Sequence, residues 1–320
     1  MRVLVTGMGG ELGTRVAQML EERDHVTEIA GCDLWPPRRR LRRSEFRRID
    51  PRDQDKMTEF VTEFAPDALV HYGVYEPDSR LAPAEAAEVS EACTVHVLTA
   101  AAKTGRLERV ALRSGLEVYG RGRGRPVVPA EDALLSPTTP YGRTCLEVET
   151  MGATLVRRLG IPVAAVRLAP VVGSHVPSPL GRLLRLPLVP VPALADPAFV
   201  LLHQEDAARA MVEALRRDVD GPVNVVGQGA ASPWQAVRLG NRVPVPVLGL
   251  GWRAACAVAE LAGAPVPPHV LELMCKGRAA DGARARDVLA LDRMRSTLQV
   301  CTELYEWGTV SPLRRTEDAA

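Results

Sequence analysis

The chain has 320 residues, enough to bury a full core and long for one nucleotide-binding unit, so a dinucleotide domain and a smaller C-terminal part are its natural division. Lysine and arginine number 40 against 39 acids, which gives no global field for nucleic acid or a membrane surface and points to small-molecule partners. Six scattered cysteines (Cys32, Cys93, Cys145, Cys256, Cys275 and Cys301) argue against a zinc site or a disulfide framework, and with no leader-like start the expected location is the cytoplasm.

The chain is organised around the run from Arg2 to Asp33. Arg2 to Thr6 reads as a buried strand, Gly7, Gly10 and Gly13 punctuate a turn, and Leu12, Val16, Met19 and Leu20 recur at helical spacing. Each glycine has its own job. Gly7 permits the tight turn, Gly10 lets the backbone approach a pyrophosphate, and Gly13 lets the helix pack closely, so that free N–H groups at the helix start face an anion. About 20 residues on, Asp33 ends a second apolar strand, where an acid accepts hydrogen bonds from an adenosine ribose and repels a 2′-phosphate. Asp33 therefore favours NAD over NADP. The opposing signal is the arginine run from Arg38, Pro36-Pro37-Arg38-Arg39-Arg40-Leu41-Arg42-Arg43, in a stretch between the second strand and Ile49-Asp50 read as a polar, solvated loop or else as a nucleic-acid or phosphate patch.

Asp50-Pro51-Arg52-Asp53 then opens a helix with Met57, Phe60, Val61 and Phe64 on one face, which places Asp50 and Pro51 near the sheet edge where an adenine would lie. Ala68 to Gly73 is the next buried strand. Its carboxyl end, Tyr72 and Gly73, should open into the cofactor crevice, with Tyr75 and Glu76 at the mouth facing nicotinamide or substrate. His71 reads as a core histidine with its hydrogen bonds satisfied. An alanine-rich helix from Ala84 to Lys103 leads into a strand at Arg109 to Leu112, then through Ser114-Gly115 and Val118-Tyr119-Gly120 to the basic loop Arg121 to Arg125. A helix from Thr138 to Arg158 carries Tyr141 near its start, and Ala164 to Leu168 makes a further strand.

Beyond Leu168 the texture changes. An apolar, proline-punctuated segment from Leu180 to Pro197 contains Arg182 and Arg185, which by themselves read as solvated helix residues. Asp206 is expected to cap the following helix. The apolar run 243–261 is broken by Arg253 and Glu260 and is too short for a membrane span, so ordinary packing is its default reading, beside a greasy pocket wall, a membrane-surface contact or a subunit contact. Asp281 to Leu291 and Tyr305-Glu306-Trp307 close the chain, with a frayed tail from Arg314.

Taken in order, Thr6-Gly7-x-x-Gly10-x-x-Gly13, Asp33, Asp50-x-Arg52-Asp53, Val70-His71, Ser114 to Gly120, Pro140-Tyr141-Gly142, Arg167-Leu168, Leu202-His203-x-x-Asp206 and Asn224-Val225 resemble the extended short-chain dehydrogenase/reductase superfamily, specifically the NAD-dependent epimerase/dehydratase group that includes UDP-glucose 4-epimerase. The resemblance implies an α/β fold, a doubly wound Rossmann unit with a mostly parallel sheet over residues 1–170 and a small substrate-binding region over 171–320 that returns segments to the sheet. It also implies bound NAD, a nucleotide-sugar or related hydroxyl substrate over which the segment from Leu180 closes with Arg182 and Arg185 as diphosphate ligands, and a homodimer. The family's tyrosine acts as base on a sugar hydroxyl, a lysine four residues on lowers its pKa and holds the nicotinamide ribose, and a Ser or Thr before Val-Tyr-Gly bonds the reacting oxygen.

This chain keeps the first of those three groups. Tyr141 is present, but Cys145 stands at the lysine position, and Gly115 at the hydroxyl position leaves Ser114 one residue early. A tyrosine of ordinary pKa near 10 is only about one part in a thousand ionised at neutral pH, and restoring it is worth roughly 4 kcal/mol. A thiol, neutral or negative, stabilises no tyrosinate. Arg143, two residues along the helix, points about 200° away. The expectation is an NAD-binding protein of epimerase/dehydratase type with Tyr141 and Ser114 as catalytic candidates and a degenerate site, or alternatively a sensor or scaffold that kept the nucleotide site and lost the chemistry.

Overall fold

The computed structural model describes residues 1–77 and 81–306, so Trp307 and the tail from Arg314 lie outside the described residues. The first half alternates strands and helices: β1 (Arg2–Thr6), α1 (Glu11–Glu21), β2 (Glu28–Asp33), β3 (Ser44–Arg48), α2 (Gln54–Phe64), β4 (Ala68–His71), α3 (Pro83–Lys103), β5 (Arg109–Gly115), α4 (Pro140–Leu155) and β6 (Val163–Leu168). The second half is built of shorter pieces: β7 (Val171–Val172), α5 (Pro179–Leu184), β8 (Leu188–Pro192), β9 (Leu202–His203), α6 (Gln204–Arg216), β10 (Gly221–Val225), α7 (Pro233–Leu239), β11 (Val243–Val247), α8 (Gly251–Leu261), α9 (Pro268–Lys276), α10 (Ala283–Leu289) and α11 (Thr297–Tyr305).

Seven strands form one parallel sheet in the order β10-β6-β5-β4-β1-β2-β3, the doubly wound Rossmann arrangement. The pleat explains why the middles of the inner strands are apolar at successive positions. Val3, Val5, Val70 and Ala111 pack into the core on one face, with α1, α4 and α6; Leu4, Leu69, Val110 and Leu112 pack into a second core on the other, with α2 and α3. Strand order reverses between β1 and β4. There Thr6 is in register with Cys32 on one side and His71 on the other, so the segments after β1, β2 and β4 meet at the carboxyl edge.

The structure corrects several local expectations. β3 is a strand inside a stretch read as loop, and it pairs with β2 over Ile29 to Asp33. The basic run before it is only partly a solvated face: Arg43 donates to the carbonyls of Leu20, Glu21, Arg23 and Val26, so it caps the C-terminal end of α1, where a cation suits the free carbonyls. The cap of α6 is His203, whose ring accepts from the Glu205 N–H, and Asp206 lies inside the first turn, accepting from the Arg295 N–H at 3.1 Å.

Segment 243–261 does not pack as the default reading had it. β11 pairs in parallel with β8 on the surface, and Leu248, Leu250, Val258 and Leu261 are exposed. Among the described residues no helix is long and apolar enough to cross a membrane. A third core, around Leu183, Val191, Phe199, Leu273 and Val300, joins α5, β8, α9 and α11 beside the carboxyl edge of the sheet.

Candidate active site at the switch point

A cleft runs along the carboxyl edge where the strand order reverses, the place where open α/β sheets bind ligands, and its empty space, open solvent included, comes to about 920 Å³. Its floor is the glycine turn. Gly7 has φ +68°, and a Cβ there would lie 2.6 Å from the Tyr72 carbonyl oxygen. A Cβ on Gly13 would lie 2.1 Å from the Gly7 oxygen, so α1 packs against the turn at a distance only glycine allows. Gly9, which the sequence reading passed over, is as constrained: its Cβ would fall 1.8 Å from the Trp35 oxygen.

Helix α1 starts at Gly10 without a side-chain cap, and Gly9 to Gly13 line the cleft. Such an end, with its unpaired N–H groups and positive dipole, suits an anion. Glu11 would oppose one, but its carboxylate is held by Arg15 at 2.8 Å and Arg39 at 3.2 Å. Asp33 also lines the cleft. Its carboxylate accepts from Leu34 N–H at 2.6 Å, Tyr75 hydroxyl at 3.0 Å and Gly10 N–H at 3.2 Å. Burial lifts its pKa above the usual carboxylate range, and these donors offset that only in part. Trp35 meets Tyr75 edge to face with ring centres 6.3 Å apart, and Arg38 also lines this end of the cleft. A glycine cradle, an uncapped helix start and an acid at the end of β2 fit the pyrophosphate and adenosine ribose of a dinucleotide.

At its other end the cleft meets a smaller inner cavity, and Glu76, Arg113, Val171 and Ser178 line both. Tyr141 lines the inner side. It sits in the first turn of α4, where Thr139 accepts from the Gly142 N–H at 3.2 Å. A Cβ on Gly142 would lie 2.6 Å from the Glu117 oxygen, so the helix start is pressed onto the turn that follows β5. Arg113, from β5, donates through Nη2 to the Tyr141 hydroxyl at 3.0 Å and through Nη1 to the Val74 carbonyl at 2.6 Å. His269 of α9 lies against the Tyr141 ring at 4.8 Å between centres, and its Nε2 is 3.0 Å from Glu76 Oε1. Burial pushes the Tyr141 hydroxyl well above its usual pKa, while Arg113 pulls it the other way. Cys145 is fully buried, and burial raises its thiol far enough to keep it neutral.

The hydroxyl position shows a second rearrangement. A Cβ on Gly115 would lie 2.2 Å from Glu117 Oε2, so the carboxylate of Glu117 fills the space that a side chain at 115 would take. Glu117 is ion-paired with Arg278, which also pairs with Glu272 at 2.8 Å, a buried triad of which Glu117 lines the inner cavity. Ser114 contributes to the cavity wall, but its hydroxyl donates to Glu149 at 2.5 Å. Glu149 in turn binds Arg167, which donates to Tyr119, and Tyr119 donates to Asn224. These residues of the Val-Tyr-Gly, Arg-Leu and Asn-Val motifs form a buried network bracing the sheet end.

The remaining candidates divide between the cleft and the body of the protein. Tyr72, Tyr75 and Glu76 line the cleft. Gly73 packs under α3, where a Cβ would meet Cys93 Sγ at 2.4 Å. Asp50 is paired with Arg52 at 2.7 Å, which holds its carboxyl below the usual range, and the Pro51 carbonyl accepts from His96 at 2.8 Å; neither lines the cleft. Arg182 and Arg185 line neither cavity. Arg182 donates to the Pro177 carbonyl, and Arg185 to the carbonyls of Gly173 and Leu304 at 3.1 Å, so Arg185 ties α5 to α11. His71 is the core residue expected, bonded to Thr6 at 2.7 Å and Thr94 at 2.9 Å, with burial pushing its pKa down to about 3.

Arg113, Glu117, His269, Arg278, Trp35 and Gly9 were not singled out from sequence. For Arg113 a signal existed: it is a lone charge continuing the apolar run Val110-Ala111-Leu112. His269, Glu272 and Arg278 come from a distant helix and loop, and no local pattern points to them.

The fold and cleft together define a protein of the doubly wound Rossmann class with its cleft at the switch point of the sheet. The chain belongs to the NAD dependent epimerase/dehydratase family, whose model matches residues 3–227. It is similar to an uncharacterized protein of Mycobacterium tuberculosis, 29% identical over 97% of this chain and 85% of that protein. Among solved structures, it resembles UDP-glucose 4-epimerase from Brucella ovis in complex with NAD (TM-score 0.73, 21% identity, 94% of this chain and 96% of that one). It also resembles UDP-glucuronic acid 4-epimerase from Bacillus cereus in complex with UDP-glucuronic acid and NAD (TM-score 0.71, 19% identity, 95% and 98%).

Proposed function

We propose that the protein is an oxidoreductase of the epimerase/dehydratase kind that binds NAD and acts on a hydroxyl of a nucleotide-linked substrate, with Tyr141 as its acid–base group. The observation that carries this reading is the shared wall: the dinucleotide cleft and the cavity holding Tyr141 meet at Glu76, Arg113, Val171 and Ser178. A substrate in the inner cavity and a cofactor in the cleft would face each other across it. The start of α1 would hold the pyrophosphate, Asp33 the adenosine ribose, and Tyr72 and Val74 the wall of the nicotinamide end. When bound, the nicotinamide supplies a hydride acceptor.

The chain's own residues do the rest. Tyr141 takes the substrate hydroxyl proton, and the pairing of Glu76 with His269 fixes the side of the pocket that the tyrosine ring lies against. Asp33 favours NAD over NADP, because a second anion beside a carboxylate has no partner there unless Arg38 turns to it. The UDP-glucuronic acid bound in the Bacillus structure, and the UDP-glucose for which the Brucella enzyme is named, support a sugar joined to a uridine diphosphate as the first substrate class to try. The test is turnover of UDP-hexoses and UDP-uronic acids by the NAD-loaded protein. Loss of turnover by about 10²–10⁴-fold is expected in Tyr141→Phe with NAD affinity nearly intact; unchanged turnover in that variant refutes the role.

A second reading, a binding protein without chemistry, is favoured by the neutral Cys145 at the lysine position and by the commitment of the Ser114 hydroxyl to Glu149. It predicts no redox exchange with any substrate. One substrate-dependent change in the absorbance of bound nicotinamide eliminates it.

A further inference from the structure

Deepening the enzymatic reading, and resting on it for its role in turnover, we infer that Arg113 has taken over the charge role of the missing lysine: its guanidinium, donated from β5 to the Tyr141 hydroxyl at 3.0 Å, is the cation that stabilises the tyrosinate. Among the described residues no carboxylate lies within 4.0 Å of this guanidinium, whereas Arg167 and Arg278, the other buried arginines of the region, are each paired with glutamate. Its neighbours of opposite or ionisable character are Tyr141, Glu76, Cys145 and Tyr72, so the positive charge is aimed at the tyrosine.

The geometry accounts for the substitution at 145. In a helix, residues 141 and 145 are one turn apart on the same face, the spacing at which a lysine would reach the phenol. Here a strand residue reaches the same oxygen from the sheet side, and position 145 becomes part of the core, fully buried among apolar side chains. Arginine is a pure donor, so the Tyr141 oxygen accepts from it and the phenolic proton is left for another partner. Because guanidinium stays protonated across the working range, the charge does not titrate away at alkaline pH as an ammonium does. Two of its donor contacts, to Tyr141 and to the Val74 carbonyl, fix the group at the boundary of the two cavities, both of which Arg113 lines.

The other groups around the phenol do not supply this charge. Glu76 and Glu117 are anions that oppose ionisation of Tyr141, and Cys145 is a neutral thiol. His269 touches the ring rather than the hydroxyl and is engaged with Glu76. Arg113 is the cation in contact with the reacting oxygen. It is a positioning residue, acting on substrate through Tyr141.

The test reads the phenol directly. A difluorotyrosine placed at position 141 of the full-length protein brings the phenol's titration into a range where the fold survives, and its fluorine NMR shift reports ionisation without cofactor or substrate. Arg113→Met should move that titration up by about 2 pH units, and Arg113→Lys, which keeps a positive charge, should recover at least half of the shift. Equal titration in the parent and in a folded Arg113→Met protein, or an Arg113→Lys protein shifted as far as Arg113→Met, overturns the assignment. Since no dinucleotide is added, the result stands apart from whether the protein binds NAD or turns over a sugar nucleotide.

Discussion

The dinucleotide cleft and the Tyr141 cavity share a wall but are built by different means. The cleft is made of backbone: Gly7, Gly9 and Gly13 sit where a Cβ would strike a carbonyl oxygen, and the N–H groups of α1 need no side chain to meet an anion. The cavity is made of side chains, Arg113 on Tyr141, Glu117 in the space beside Gly115, and His269 on Glu76, drawn from segments far apart in the chain. A backbone site tolerates little change, because each glycine is fixed by the approach of another main chain. A side-chain site can be rewired, since a charge needed at one oxygen can come from a helix or from a strand.

The largest expected effect, outright loss of a ligand, tests the rigid half. Gly13→Val puts a side chain into the Gly7 carbonyl, 2.1 Å from the Cβ position, and should abolish NAD binding and cost about 3 kcal/mol of stability by urea denaturation. Retained binding would mean that the turn can move, and would dissolve the contrast.

In the rewired half, Arg278→Met leaves Glu117 and Glu272 buried together without their shared cation, and should destabilise the protein by roughly 3–5 kcal/mol. A smaller loss, under ~1 kcal/mol, would mean that the triad opens to water easily and that the inner cavity is not preorganised.

The smallest effect concerns the strand between them. His71 is buried neutral with its pKa down to about 3, so over the span from its unfolded value near 6.5 down to that point the unfolded chain binds the extra proton. Stability is therefore present above pH 6.5 and falls as pH drops, by about 1.4 kcal/mol per unit from this one residue. Urea midpoints between pH 7 and pH 5 should show the slope, and His71→Gln should remove its share. An unchanged slope in that variant would place the acid sensitivity elsewhere, for instance at His203, whose pKa burial also lowers.

The same contrast sets what could be read from the sequence. The order of strands and helices, the glycine turn and Asp33 followed from local patterns, since alternation, helical spacing and tight turns are written in neighbouring residues. β3 was missed because Ser44-Glu45-Phe46-Arg47-Arg48 is an edge strand, half exposed and polar, with no apolar run to betray it. Asp50 was singled out by its place near the sheet edge and Arg185 by its charge in an apolar segment; the structure pairs them with Arg52 and with main-chain carbonyls, and neither lines a cavity. The absence of lysine at 145 was plain. Its counterpart at 113 was visible only as an odd charge in a buried strand, and the partner that gives that charge meaning lies 28 residues on.

The central claim, that the cleft is a working dinucleotide site joined to the Tyr141 cavity, is tested most directly by calorimetric titration of the nucleotide-stripped protein with NAD and NADP. One NAD site per chain is expected, tighter than NADP, with that preference lost in Asp33→Asn. No heat from either dinucleotide, in a preparation shown to be folded, would contradict it.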